Sequence, residues 1–191
     1  MDFYFDEEFG SKKDIEVTKK CIKDLMLIYP KVRLNGIGDI DTYNRNVDKN
    51  EIESTKLASF IYPKNIIVIN YKNVKEYGRK LEEVIYHEFG HAIDFMAKNI
   101  SLIDKISNDF RIELKYKEHL KYLKRLRDYV NKINHPDKNL FNMKTHAETN
   151  LSEYFAECFV YYYLKGSEIV GNDDVINLVH TDYSGLVGFK K

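Results

Sequence analysis

Residues 87–91 read His-Glu-Phe-Gly-His, inside a stretch, 79–98, whose apolar residues Leu81, Val84, Ile85, Phe89, Ala92, Ile93 and Met96 recur at helical spacing. That combination constrains the chain more than any other feature. The spacing predicts a helix over 79–98. It also calls for a reason why three polar side chains interrupt an apolar stripe, because buried polar groups are costly without partners. On a helix, positions i and i+4 project from one face, so His87 and His91 can reach a single ion at about 2.0–2.1 Å each. Glu88 lies one position round the helix, which suits a general base acting on a water beside the ion better than a ligand. Gly90 removes a side chain that could crowd such a site. The alternative is a pair of hydrogen-bonded histidines on a helix surface.

A catalytic zinc ion, Zn2+, takes three protein ligands and keeps one position open. The segment Ser152-Glu153-Tyr154-Phe155-Ala156-Glu157-Cys158-Phe159 offers glutamates at i and i+4 on a second helix. Tyr154, Phe155 and Phe159 make that helix largely apolar, so its acids want partners. Glu153 is the expected third ligand. Glu157, one turn on, is expected to hydrogen-bond a ligand imidazole from behind, and Asp94, three residues after His91, could do the same. An ordinary solvated face is the alternative for the two glutamates, and Glu148 is a weaker ligand candidate.

The remaining pattern indicates the fold class. Residues 11–29 read as an amphipathic helix through Ile15, Ile22, Leu25, Ile28 and Tyr29, ended by Pro30. Lys31–Leu34 is expected as a short strand, followed by a loop around Gly36 and Gly38. Ile66-Ile67-Val68-Ile69 is a β-branched strand that pairs as a hairpin with Leu57–Tyr62. Residues 104–134 form a long charged helical stretch, in one helix or two. Leu151–Lys165 is a further helix ended by Gly166, and 173–180 a last short one. The order predicts an α+β fold: a small sheet with an edge strand preceding the His-Glu helix, and a mostly helical C-terminal half. With 191 residues, one domain over 1–191 is expected.

Composition narrows the function classes. Lys and Arg number 30, as do Asp and Glu, so the net charge argues against nucleic acid as a partner. The basic stretch Lys115–Arg127 is interleaved with Glu118 and flanked by Glu113 and Asp128, and reads as a solvated helix face. No apolar run reaches membrane-spanning length, so no membrane partner is expected. Two cysteines, Cys21 and Cys158, with no CxxC pair, argue against a disulfide framework or a cysteine-based zinc site. The N-terminus is acidic and lacks the apolar segment of a signal peptide. On that ground the chain is expected in the cytoplasm, or as a mature form with its signal removed.

The segments HEFGHAID (87–94) and SEYFAECFVYYYL (152–164) together resemble the catalytic domain of anthrax toxin lethal factor. They resemble the Pro-Pro endopeptidases of the same superfamily more closely still. The resemblance implies a zincin-like metallopeptidase of the gluzincin type, and a secreted one. His87, His91 and Glu153 would hold zinc and Glu88 would be the general base. It also implies a protein or peptide substrate lying extended along a strand edge within residues 57–71. Two features depart from that pattern. The spacer from 92 to 152 is longer, and the family's catalytic tyrosine, seven residues before the ligand glutamate, is replaced here by His146. A protonated imidazole can also donate to a developing oxyanion, which makes His146 the expected catalytic partner of Glu88. Otherwise His146 is a loop residue and another tyrosine serves. A zinc endopeptidase is therefore the leading expectation. The competing one is a weak or inactive zincin-fold protein used for binding or structure, as a toxin subunit or a phage virion component.

Overall fold

The computed structural model of the protein describes residues 1–46, 52–53, 55–62, 64–99 and 151–165. The expected helices at 104–134 and 173–180, the basic stretch, His146 and Glu148 lie outside the described residues. Four strands and five helices are described: β1 (Asp2–Tyr4), α1 (Lys12–Ile28), β2 (Gly36–Asp39), α2 (Ile40–Asn46), β3 (Ala58–Ile61), β4 (Ile66–Ile69), α3 (Tyr71–Glu76), α4 (Leu81–Asn99) and α5 (Leu151–Lys165). The fold is α+β, as the residue pattern predicts.

The strands form one mixed sheet in the order β1-β2-β4-β3. The pairings β1–β2 and β2–β4 are parallel, and the β3–β4 hairpin is antiparallel with Phe60 opposite Ile67. Strand side chains alternate between faces, and β4 shows why its four residues are all apolar. Ile67 and Ile69 point into the larger core, with Ile37, Phe60, Ile85 and Phe89. Ile66 and Val68 point into a smaller core on the opposite face, with Ile40, Tyr43 and Ile61. Both faces of β4 are thus covered. The hairpin turn places Asn65 at φ 54°, a left-handed conformation that asparagine tolerates better than most residues.

The strand expected at Lys31–Leu34 falls instead at Gly36–Asp39. Val32 and Leu34 are buried, as their apolar character suggests, but the backbone there turns, with the Val32 amide donating to the Tyr29 carbonyl. The two glycines that suggested a loop are in the strand because a neighbour leaves no room for side chains. A Cβ on Gly38 would run into the Tyr4 carbonyl and side chain, and one on Gly36 would approach the Tyr4 ring at 2.8 Å. Three short elements, β1, α2 and α3, carry no periodic signal and were not expected.

Helix α1 begins at Ser11, whose side chain accepts from the Asp14 amide, and it buries Ile15, Thr18, Ile22 and Leu25. It ends at Tyr29, ahead of Pro30. The fully buried Tyr29 ring joins three helices: it packs 6.1 Å from Phe89 of α4 and 5.7 Å from Phe159 of α5, centroid to centroid. Its hydroxyl meets that of Tyr163 at 2.6 Å. Such aromatic pairs add about 0.5–1.5 kcal/mol each beyond the area they bury. Together they fix α4 and α5 side by side. Cys21 is a free thiol. Among the described residues no helix is long and apolar enough to cross a membrane.

The glycine contact yields a stability prediction. Gly38→Ala should destabilise the fold by about 2 kcal/mol or more, because the β1–β2 pairing must open to admit a methyl group. Urea unfolding followed by circular dichroism measures this, and a midpoint equal to wild type would contradict the close packing of Tyr4 on Gly38.

Candidate metal centre

The amphipathic pattern of α4 sends Val84, Ile85, Phe89, Ala92 and Ile93 into the core. The same helix carries His87 and His91 on the side that faces α5, with Glu88 one position round. The two helices approach closely because Gly90 lies at their crossing: a Cβ there would stand 3.0 Å from Ala156 Cα and 3.3 Å from Phe159 Cβ. The role of Gly90 is therefore to admit the second helix, rather than to leave space above an ion.

The crossing brings Glu153 onto the two histidines. His87 Nε2 lies 3.1 Å from His91 Nε2, and 3.1 Å from Glu153 Oε2. His91 Nε2 lies 3.4 Å from Glu153 Oε1. The three residues offer one ligand atom each, all within 4.8 Å of one another. Two atoms bound at about 2.0–2.1 Å to a tetrahedral ion stand about 3.3–3.4 Å apart, so the two imidazole nitrogens are near that spacing and the Glu153 carboxylate, which meets them through different oxygens, lies within reach of the same ion. Two imidazole nitrogens and a carboxylate oxygen are also the donor types that zinc accepts.

The groups behind the histidines support the same use. His87 Nδ1 faces Glu157 Oε1 at 3.3 Å, and Glu157 is buried. His91 Nδ1 lies 3.2 Å from Ser152 Oγ, whose proton goes to Asp94 Oδ2 at 2.7 Å. A carboxylate can only accept, and a serine oxygen that has given its proton elsewhere can only accept. The His91 imidazole is thereby biased toward Nδ1–H, which leaves its Nε2 lone pair turned to the common point, while the Glu157 carboxylate acts on His87 Nδ1 through its charge. Glu157, expected to hydrogen-bond a ligand imidazole, lies against His87 at ion-pair distance. Asp94 reaches His91 through Ser152, not directly, because three helical positions carry it to the neighbouring side of α4.

Burial opposes charge on His87, but Glu153, Glu157 and Glu88 more than offset it and push its pKa well above the usual histidine value. Burial likewise acts to raise the Glu153 carboxyl, yet the His87 and His91 imidazoles hold it far below the ordinary carboxylate range. A proton on His87 can thus take the place that a cation would fill. Glu88 is buried beside His87 and close enough to act on it electrostatically.

Two further side chains enter the site without a signal in the motif. Ser152 precedes Glu153 and connects Asp94 to His91. Tyr62 follows β3 and comes close enough to Ser152, Asp94, Glu153 and Glu88 for each to act on its phenol. Burial, and the nearby carboxylates of Asp94, Glu153 and Glu88, push the Tyr62 phenol up, although Ser152 acts the other way. The ring is held edge-on by Phe60 at 5.4 Å and Phe95 at 5.5 Å. The approach of Tyr62 to the Ser152 end of α5 could not be read from spacing.

A family model described as anthrax toxin lethal factor, N- and C-terminal domain, matches residues 42–169, two thirds of the chain. The chain belongs to this lethal factor family. The match spans α4 and α5, and so all three converging residues. No curated protein and no solved structure matches the chain.

The raised pKa of His87 gives the metal affinity a sign with pH. Below that pKa a cation must displace the His87 proton, so apparent zinc affinity should rise with pH through neutrality, by up to about tenfold per unit for one proton. Calorimetric titration in buffers of different ionisation enthalpy would count the proton released. A pH-independent affinity would contradict the contacts assigned to His87.

Proposed function

We propose that this lethal factor family member is a zinc-dependent endopeptidase, a single zincin-like domain over residues 1–191, acting on a protein or peptide substrate. The observation that carries the proposal is the convergence of His87, His91 and Glu153 beside the buried Glu88. Zinc held by those three residues would supply a Lewis acid that polarises the scissile carbonyl and acidifies a water. Glu88 takes the proton from the water as its oxygen adds to the carbonyl carbon, then delivers that proton to the departing amine as the C–N bond breaks. Asp94, Ser152 and Glu157 hold the two imidazoles in the orientation this requires. His146, seven residues before Glu153, is the proposed donor to the oxyanion.

The sheet supports an extended substrate. β3 is at one end of the strand order and pairs with β4 on one side. Among the described residues its other edge has no strand beside it, and that edge can accept a peptide as an added strand, with backbone hydrogen bonds supplying affinity. Tyr62, at the end of β3, stands next to the groups around His91, so a peptide on that edge would run toward the centre.

Glu88→Gln separates the binding of the ion from its use. The variant should retain wild-type zinc content and lose cleavage of a peptide library by a factor of about 10² or more. Undiminished cleavage would remove Glu88 from the mechanism. A wild-type protein that binds zinc and cleaves no member of the library would fit the binding or structural role instead.

A further inference from the structure

Three aromatic rings form one cluster where the edge strand meets the His-Glu helix. Phe60 of β3 and Tyr62 just beyond it are two residues apart and share a face of the sheet, with ring centroids 5.4 Å apart. Phe95 of α4 packs against both, 5.8 Å from Phe60 and 5.5 Å from Tyr62. All three pairs meet edge to face, at interplanar angles of 63–69°. Phe60 is buried, but Tyr62 is 45% exposed, so the cluster ends in an aromatic surface that solvent reaches. That surface lies beside the metal centre. Phe95 follows His91 by four residues on α4, about 6 Å along the helix axis and on nearly the same side. The carboxylates of Asp94, Glu153 and Glu88 are close enough to Tyr62 for their charges to act on it.

We propose that Tyr62, backed by Phe60 and Phe95, is a specificity-determining residue that receives an aromatic side chain of the substrate within two residues of the scissile bond. The inference rests on the endopeptidase reading and on the β3 edge as the place where the peptide is added. A peptide paired with that edge rises about 3.3 Å per residue and turns alternate side chains to the α4 face of the sheet. A side chain one or two positions from a carbonyl held at the centre therefore spans the helical turn between His91 and Phe95. A ring placed there adds a further edge-to-face or offset contact to the cluster. An aspartate or glutamate in the same place meets the carboxylates near Tyr62 and is disfavoured. For a lysine or arginine, the charge of a bound cation offsets the attraction of those carboxylates.

A peptide library incubated with the zinc-loaded wild type, with the cuts read by mass spectrometry, tests the preference. Phe, Tyr or Trp should be enriched at a position within two residues of the cut, and Asp and Glu depleted there. A matched pair of peptides carrying Phe or Ala at that position then gives a ratio of kcat/KM values that does not depend on the fraction of active enzyme. Tyr62→Ala should lower this ratio about tenfold, and Tyr62→Phe, which retains the ring, by no more than about twofold. If Tyr62→Ala fails to fold, Tyr62→Leu, which keeps apolar bulk without a ring, takes its place and should also lower the ratio. The proposal is overturned if the library shows no aromatic enrichment, if lysine or arginine is favoured at that position, or if loss of the ring slows both peptides equally and leaves the ratio unchanged. Cleavage without aromatic preference would leave the endopeptidase reading intact. A wild type that cleaves nothing would remove that reading and this inference with it.

Discussion

The close crossing of α4 and α5, with Gly90 against Ala156, governs what the centre can do. The histidines belong to one helix and the glutamates to another, so their distances depend on the separation of the two helix axes. A methyl group at the crossing would need a few tenths of an ångström of extra space. That is a substantial fraction of the tolerance of ligand atoms now 3.1–3.4 Å apart. The aromatic contacts of Tyr29, Phe89, Phe159 and Tyr163 supply the apolar burial that keeps the helices in place. The same packing buries much of the charge, which is tolerable because imidazole and carboxylate face each other.

A consequence is that the fold by itself brings the three candidate ligands together. The carboxylates of Glu153 and Glu157 lie 3.1 and 3.3 Å from opposite ring nitrogens of His87, and Ser152 lies against His91. Little side-chain entropy remains to be lost on binding. The balance has a chemical cost in the competing proton on His87, which links metal loading to pH.

Much of the centre was legible in the residues because two short helical motifs carry it. A period of 3.6 puts His87 and His91 on one side, and acids at 153 and 157 on an apolar helix required partners. The hairpin was legible for a similar reason: Ile66–Ile69 is β-branched throughout and must be buried on both faces. β2 was not, because glycine ordinarily weakens a strand, and only the overlying Tyr4 explains its presence at 36 and 38. The helices of α2 and α3 are seven and six residues long, too short to show a stripe. Tyr62 and Ser152 escaped because their meeting is a product of tertiary packing. Asp94 was placed on the right helix, but its path to His91 required a serine that no spacing rule names.

The family assignment and the chemistry rest on separate grounds. The first comes from a match over residues 42–169, the second from interatomic distances, and a fold can host unrelated activities. The claim common to all of the chemistry is that two imidazoles and one carboxylate bind a single zinc ion. X-ray absorption at the zinc edge on the loaded protein tests it most directly. The account predicts a first shell of nitrogen and oxygen at about 2.0–2.1 Å, with the outer-ring scattering of two imidazoles. A zinc–sulfur shell at about 2.3 Å, or a shell lacking imidazole, would contradict it.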